Sequence, residues 1–374
     1  MMIGEHPLIV VVGSGGVGKT TLAASLGLYS ARRGLDTLVM TFDPSLRLKD
    51  ALGVGEEARE REMPVPLGPN ESGQAPGRLD ASLLDARRTF DQLIERYAPD
   101  DEARQRILDN RFYQHLSGSL AGILEYMAVE RLFEVAEEGR YRQVILDTPP
   151  TRQALDFLEA PQRIVDFLDS SALRVALREW FDDGGKLKAT SRLGGLGRKV
   201  EGYLDRVIGI DFLREVSEFF RAFGPLYDGF RRRAQQVQEL LRAPTTRFLL
   251  VSGPGQERIP DTLFFARKLE EAGLHLGAVA VNRVHPRFAP VGEERAVAGA
   301  ASDGAAAESD GRRILRWLGD RDHAGLEELQ RLLGEQTLVE VPMMAEEPTD
   351  LGSLETLGTA VAPKLASRGL AMGE

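Results

Sequence analysis

The chain has 374 residues, 43% hydrophobic and 28% charged, a balance typical of a soluble globular protein. A formal net charge of −10 argues against broad nucleic-acid binding. The absence of cysteine excludes disulfides, thiolate metal sites and a thiol nucleophile. The N-terminal apolar run, Leu8 to Val12, lacks the basic flank and cleavage signal of a leader peptide, and no run reaches about 18 apolar residues. We therefore expect a cytoplasmic protein with no membrane span, which reaches a membrane only through a partner.

Six short apolar runs rich in β-branched residues predict strands that are buried on both faces. They are Leu8 to Val12, Thr37 to Phe42, Val144 to Leu146, Phe248 to Val251, Ala278 to Val281 and Leu338 to Val341. Helical patterns separate these runs, beginning with Thr21 to Arg33 and its stop at Gly34. The alternation predicts an α/β fold with a doubly wound, mostly parallel sheet that binds ligands at the carboxyl ends of its strands.

Two long stretches of mainly helical pattern interrupt this alternation. We predict a single domain over residues 1–374, whose core comprises 1–84, 141–159 and 244–374. An inserted helical subdomain then covers about 85–140 and 160–243. Two segments rich in Pro, Gly or small polar residues, Pro64 to Gly77 and Ala296 to Gly311, are predicted to be surface loops.

A glycine-rich motif, GSGGVGKT, runs from Gly13 to Thr20 between the first predicted strand and the following helix. It matches the phosphate-loop pattern G-x-x-x-x-G-K-[ST] in the required context. Glycines allow backbone N–H groups to surround phosphates, Lys19 reaches the β- and γ-phosphate oxygens, and the Thr20 hydroxyl is a Mg²⁺ ligand. The predicted ATP-binding residues here are Gly13, Ser14, Gly15, Gly16, Val17, Gly18, Lys19, Thr20 and Thr21.

The same glycines also fit the dinucleotide fingerprint G-x-G-x-x-G, and Asp43 follows the second strand where a ribose-binding acid would lie. Lys19 and Thr20 favour the phosphate loop, because a dinucleotide fold needs no Mg²⁺-ligating hydroxyl at that position. Asp147, at the end of another strand, is placed to hold Mg²⁺ directly or through water. Asp43 is placed to orient or deprotonate the attacking water, although either aspartate also suits a helix N-cap.

The phosphate loop, the Asp43-Pro44-Ser45 segment and the motif from Asp147 to Thr151 together resemble the arsenical-pump (ArsA-type) ATPase family. That family belongs to the deviant Walker A dimeric ATPases and includes the ATPases that target tail-anchored membrane proteins. The resemblance implies that Lys19 and Asp43 are catalytic and that Thr20 and Asp147 hold Mg²⁺. It also implies that Asn282 contacts adenine and that Pro342 and Met343 line the base.

The chain departs from this family in its phosphate loop and in its cysteine content, among other features. The family's phosphate loop begins G-K, and its first lysine reaches the partner's phosphates in the dimer, whereas this chain has Ser14. Arg47, or a basic residue of a non-identical partner, is our hypothesis for the replacement cation. The chain also lacks the Cys-x-x-Cys zinc motif, so packing and nucleotide would hold any homodimer or heterodimer together.

An apolar stripe at helical spacing follows Asp211 and suggests a groove for an apolar client segment, or simply packing against neighbouring helices. Its residues include Phe212, Val216, Phe219, Phe223 and Phe230. We therefore expect an ATP- and Mg²⁺-dependent dimeric switch that binds and releases a hydrophobic protein segment, as a chaperone or targeting factor. The alternatives are an energising subunit for an anion transporter with a membrane partner, and a slow regulatory switch with a non-identical subunit.

Overall fold

The structure is a computed structural model. It describes residues 8–41, 47–59, 61–68, 75–98, 100–111, 113–114, 123–149, 160, 162, 166, 227–288, 310–334, 337–367 and 370. These residues divide between two compact units. The first comprises 1–83, 139–154 and 242–374, and the second comprises 84–138 and 155–241.

The first unit contains a sheet of eight strands among the described residues. They are β1 (Leu8–Gly13), β2 (Thr37–Thr41), β3 (Met63–Pro64), β4 (Leu79–Leu83), β5 (Gln143–Asp147), β6 (Thr246–Ser252), β7 (Leu276–Val284) and β8 (Leu338–Pro342). Their order is β3-β4-β2-β5-β1-β6-β7-β8. Every neighbouring pair is parallel except β3 and β4. The predicted α/β class and mostly parallel sheet are confirmed.

The described helices of the first unit are α1 (Lys19–Arg32), α2 (Arg47–Leu52), α7 (Ile259–Glu271), α8 (Asp310–Leu333) and α9 (Leu351–Ala366). Those of the second unit are α3 (Ala86–Tyr97), α4 (Asp101–Leu108), α5 (Ile123–Glu138) and α6 (Tyr227–Arg242), whose last residue belongs to the first unit. Short 3₁₀ turns lie at Glu56–Arg59 and Gln256–Arg258. None of the described helices is long and apolar enough to cross a membrane.

The core of the first unit surrounds β1, the strand that leads into the phosphate loop. All six residues of β1 are buried, because the strand lies between β5 and β6 and is covered by helices. Helix α1 buries ten of its fourteen residues, since it packs against the sheet and against α9. This burial holds the start of α1 firmly at the carboxyl edge of the sheet.

Three details of the predicted strands and loops are wrong. Strand β8 is not buried on both faces, because it is the edge strand and its Glu340 is exposed. Strand β4 was not predicted, since its polar Asp80 and Ser82 interrupt the apolar pattern. The predicted loop from Pro64 begins inside β3, and Val65 is buried with its N–H donating to the Leu79 carbonyl at 2.8 Å.

The helices of the second unit contain a buried ion cluster. Arg233 on α6 donates to Glu130 at 2.5 Å and to Glu137 at 2.6 Å, both on α5. Burial raises the pKa of the Glu130 carboxyl, against the lowering effect of Arg233. The Arg233 guanidinium also lies 4.2 Å from the ring centroid of Phe133. The cluster joins α5 to α6.

Candidate nucleotide-binding site

The phosphate loop joins the end of β1 to the start of α1. Gly16 and Gly18 have left-handed φ angles of 76° and 92°. Gly13 has no room for a side chain, because a Cβ there would lie 2.1 Å from the carbonyl oxygen of Val251 on β6. Gly18 caps α1 without any side-chain hydrogen bond. The first N–H groups of α1 are therefore donors suited to an anion, with the helix dipole behind them.

Lys19 lies across this loop. Its Nζ donates to the carbonyl oxygens of Gly13 at 3.0 Å and Ser14 at 3.1 Å. The side chain is 7% exposed, yet it still lines the cavity above the loop. A lysine held in this way carries its charge at the place where the loop surrounds an anion.

Asp147 is fully buried at the carboxyl end of β5 and accepts two hydroxyl hydrogen bonds. Thr20 at the start of α1 donates to its Oδ2 at 2.7 Å, and Thr41 at the end of β2 donates to the same oxygen at 3.0 Å. The following residue, Thr148, donates its hydroxyl to the Val11 carbonyl at 2.8 Å, which ties this strand end to β1. The parallel register therefore brings the two predicted metal-holding residues into contact.

A cavity of about 720 Å³, called the phosphate cavity below, opens above the loop. Six predicted residues line it: Gly15, Gly16, Gly18, Lys19, Thr20 and Thr21. The other described residues lining it are Arg47, Asp50, Ala51, Arg283, Glu347, Pro348 and Thr349. Gly13, Ser14 and Val17 are not among these described lining residues. All three are buried, and Gly13 and Val17 pack toward the core.

A second cavity of about 310 Å³, called the base cavity below, adjoins the first. Asn282, Pro342 and Met343, the three residues predicted around adenine, all line it. The cavity lies where β7 and β8 end, and a hydrogen bond from the Met343 N–H to the Val284 carbonyl, 2.8 Å long, holds the two strand ends together. A mixed apolar and amide lining of this kind suits a flat heterocycle.

Asn282 also has a bonding role that the sequence did not reveal. Its Nδ2 donates to the Val17 carbonyl at 2.8 Å, and its Oδ1 accepts the Arg283 N–H at 2.9 Å. The side chain is 6% exposed. Asn282 therefore attaches the end of β7 to the phosphate loop, and each end of its amide retains one further hydrogen-bonding position.

Sequence reasoning missed several of the residues that line the two cavities, including Arg283, Glu347, Pro348 and Thr349. Arg283, Glu347 and Pro348 line both of them, and Thr349 lines the phosphate cavity. The only sequence signal for Glu347, Pro348 and Thr349 is the acidic pair followed by proline after β8. It predicts an irregular segment but no ligand.

Several predicted site residues lie outside the described residues. These are Asp43, Phe212, Val216, Phe219 and Phe223. Phe230, the remaining member of the apolar stripe, is 3% exposed, and its ring packs edge-on against Phe90 with centroids 6.2 Å apart. Among the described residues, Phe230 is therefore buried in packing contacts, and the prediction of a client groove stays a prediction.

Comparison with known proteins adds independent findings. The family model described as anion-transporting ATPase matches residues 6–181, just under half of the chain. A protein of Aquifex aeolicus (strain VF5), named after the arsenical pump-driving ATPases, is 26% identical over 285 residues. The match covers 75% of this chain and 63% of that protein. The ATPase GET3 of Zygosaccharomyces rouxii is 29% identical over 252 residues, covering 63% of this chain and 69% of that protein.

A third relative, from Halobacterium salinarum and also named after the arsenical pump-driving ATPases, is 31% identical over 187 residues. That match covers 45% of this chain and 26% of the relative. The chain thus spans less than two thirds of the length of both relatives so named. The matched family model includes the phosphate loop and Asp147. With this geometry and these matches, residues 6–181 of the chain are similar to the anion-transporting ATPase (ArsA-type) family.

Proposed function

We propose that this protein binds ATP with Mg²⁺ and hydrolyses it. The observation that carries the proposal is the pair of adjoining cavities. One is lined by Lys19 and the glycines of the phosphate loop, and the other is lined by Asn282 and Met343. Four described residues line both cavities, so one ligand with an anionic end and a flat apolar end suits the pair.

Lys19 is the proposed catalytic cation at the phosphates. Its ammonium would exchange two neutral carbonyl acceptors for charged phosphate oxygens, which form stronger hydrogen bonds. The helix N-terminus beside it adds backbone donors in a fixed arrangement. Donors that are already in place stabilise developing charge without reorganising, and this accounts for much of the catalytic effect of such loops.

The residues present fit a Mg²⁺ ion. The Thr20 hydroxyl donates its proton to Asp147, so its oxygen lone pairs are available for a cation on the cavity side. Asp147 is fully buried and is not among the described residues lining the cavity, which supports contact through water. Mg²⁺ prefers oxygen ligands and retains several waters. When bound, it would neutralise charge on the phosphate oxygens.

Asp43 is the proposed residue that orients and deprotonates the attacking water. It lies outside the described residues, but it follows β2 by two residues, and Thr41 of β2 is in register with Asp147 of β5. Parallel strands that end together bring the residues that follow them to one edge of the sheet. This register supports a carboxylate near the phosphate cavity.

The test is ATP hydrolysis by the purified protein with Mg²⁺, measured for the unaltered chain and for Lys19→Ala and Asp43→Asn. We expect turnover that depends on Mg²⁺ in the unaltered chain and its loss in both variants. Unchanged turnover in Lys19→Ala would refute the proposed catalytic site. Tight ATP binding without turnover in the unaltered chain would instead support the slow regulatory switch, which the Ser14 substitution favours.

We further propose that ATP brings two chains together, either two copies or this chain and a related one. The family's first loop lysine is absent here, and Arg47, an exposed residue that lines the phosphate cavity, is the proposed replacement cation. Molar mass in solution should rise with ATP and fall after hydrolysis. An Arg47→Ala variant with unchanged turnover at saturating ATP would exclude Arg47 and direct attention to a partner's cation.

The proposed role of this switch in the cytoplasm is the binding and release of an apolar protein segment. The support is the likeness to proteins named ATPase GET3, together with the apolar stripe near residue 212. The likeness to relatives named after arsenical pump-driving ATPases supports an anion-transport subunit as the second candidate. ATP-dependent binding of an apolar helical peptide favours the first, and hydrolysis stimulated by an oxyanion favours the second.

A further inference from the structure

Arg283 has the left-handed backbone conformation that favours glycine, with φ 64°, and it is the single non-glycine residue with positive φ in the described part of the chain. Arg283 lies where the pairing of β7 with β8 is irregular. Val281 of β7 pairs with Glu340 of β8, and Val284 pairs with Pro342, so three steps along β7 match two along β8. Bulges of this kind turn a side chain out of the strand direction and occur next to functional sites.

The Asn282 side chain holds this unfavourable backbone. The Asn282 side chain accepts the Arg283 N–H at 2.9 Å, and the same amide donates to Val17 in the phosphate loop. The bulge is therefore attached to the loop, and it places Arg283 beside it. A strained residue that its surroundings maintain in this way is a candidate for a role at the site.

The Arg283 guanidinium itself is held only loosely. One terminal nitrogen donates to the Gly16 carbonyl at 3.4 Å, and the other lies 3.6 Å from Glu347. The side chains of Arg283 and Glu347 are 49% and 77% exposed. Exposed ion pairs of this length contribute little to stability. Both side chains therefore move at small energetic cost.

Arg283 lies where the phosphate cavity and the base cavity meet. Arg283, Glu347, Pro348 and Thr21 line both the phosphate cavity and the base cavity. In a nucleotide that occupies both cavities, the ribose and the phosphate attached to it lie between the base and the terminal phosphates. A guanidinium prefers two phosphate oxygens to a neutral carbonyl, whereas the Glu347 carboxylate repels them.

We propose that Arg283 binds the phosphate next to the ribose of the bound nucleotide and releases Glu347 as it does so. This inference rests on the proposed ATP binding, and it gives that site a cation in addition to Lys19. Arg283 is then a binding residue for the nucleotide as a whole. Because it contacts the first phosphate, it contributes equally to ATP and ADP.

The first test is a calorimetric titration of Arg283→Asn with ATP and with ADP. Asparagine tolerates the left-handed backbone, so the variant removes the cation and keeps the bulge. We expect roughly tenfold weaker binding of both nucleotides, as for loss of a hydrogen bond to a charged group. The matched control is Arg287→Asn, which removes an exposed arginine paired with Glu327 at 3.1 Å that is not among the described residues lining either cavity.

The second test uses Glu347→Gln alone and in the Arg283→Asn background. Alone, it should strengthen binding of both nucleotides by about twofold at low salt, because the guanidinium loses its competing carboxylate. In the Arg283→Asn background most of that gain should disappear. Arg283→Lys keeps the charge without the planar fork and should give an intermediate affinity.

Each outcome decides the inference. Unchanged ATP affinity in Arg283→Asn, or an equal loss in Arg287→Asn, would overturn it. A loss for ATP but not for ADP would move the contact to the terminal phosphate and also overturn it. If the unaltered chain binds neither nucleotide, the proposed function itself fails, and that result is distinct because it appears before any substitution. Thermal unfolding midpoints of all variants separate loss of binding from loss of fold.

Discussion

The phosphate end and the base end of the site are built in different ways. The phosphate end is almost continuous in sequence, since Gly15 to Thr21 supply six of its lining residues. The base end brings together Asn282 and Arg283 of β7 with residues 342–348, which begin at the last residue of β8. One end thus depends on a local turn between β1 and α1, and the other depends on the pairing of β7 with β8.

Asn282 joins these two ends. Its amide donates to Val17 in the loop and also braces the backbone of Arg283. Changes in the loop should therefore affect catalysis most, and loss of the Asn282 amide should affect nucleotide preference. A collision between the loop and Asn282 should affect both stability and ATP binding. Substitutions in each part of the site test this division.

Replacing Lys19 with methionine should lower turnover by at least about a hundredfold, because the site loses its buried cation while keeping an apolar stem. The measurement is the initial rate at saturating ATP. The matched control is Lys49→Met, which removes a lysine paired with Glu56 outside the described lining of both cavities. A similar loss in both variants would show that the effect is not specific to the phosphate end.

Replacing Thr20 with valine should lower turnover by roughly ten- to a hundredfold and raise the Mg²⁺ concentration needed for half-maximal rate. The hydroxyl is both the proposed Mg²⁺ ligand and a hydrogen-bond donor to Asp147 at 2.7 Å. Thr356→Val is the control, because that exposed hydroxyl donates only within its own helix, to Gly352 at 3.0 Å, among the described contacts. An unaltered Mg²⁺ requirement in Thr20→Val would argue against the assigned ligand.

The junction is tested by comparing Gly18→Ala with Gly34→Ala. Both glycines have left-handed φ angles, 92° and 87°, so both substitutions carry a similar backbone cost of about 1 kcal/mol. Only at Gly18 would the new Cβ collide with Asn282, at 2.3 Å from Nδ2. Chemical denaturation should show Gly18→Ala to be the less stable variant by about a further 1 kcal/mol, with weaker ATP binding. Equal stabilities would mean that Asn282 moves aside freely.

The smallest effect is expected for Asn282→Ala. Loss of its contacts should weaken ATP binding about fivefold and reduce the preference for ATP over GTP, because the proposed adenine contact disappears. Competition between the two nucleotides measures this preference. Asn110→Ala is the comparison, since its side chain also accepts a backbone N–H, from Tyr113 at 3.1 Å, but lies in the second unit. An unchanged preference would limit Asn282 to joining the strand end and the loop.

Much of the fold followed from local patterns. All six predicted strands occur, because apolar β-branched runs between helices have few alternatives to burial in a parallel sheet. Strand β4 was missed because its polar Asp80 is buried beside a residue far along the chain, Tyr141, whose hydroxyl donates to it at 2.6 Å. A prediction based on runs of apolar residues does not reveal a hydrogen-bond partner that is distant in the sequence.

The phosphate loop could be predicted from the sequence, because glycine conformations, a helix start and the lysine and threonine that follow are properties of consecutive residues. The tertiary structure alone decided that Thr20 donates to Asp147 and that Arg283 lies beside Gly16. Those contacts depend on strand order, parallel register and the bulge between β7 and β8, which arise from pairing between residues distant in the chain.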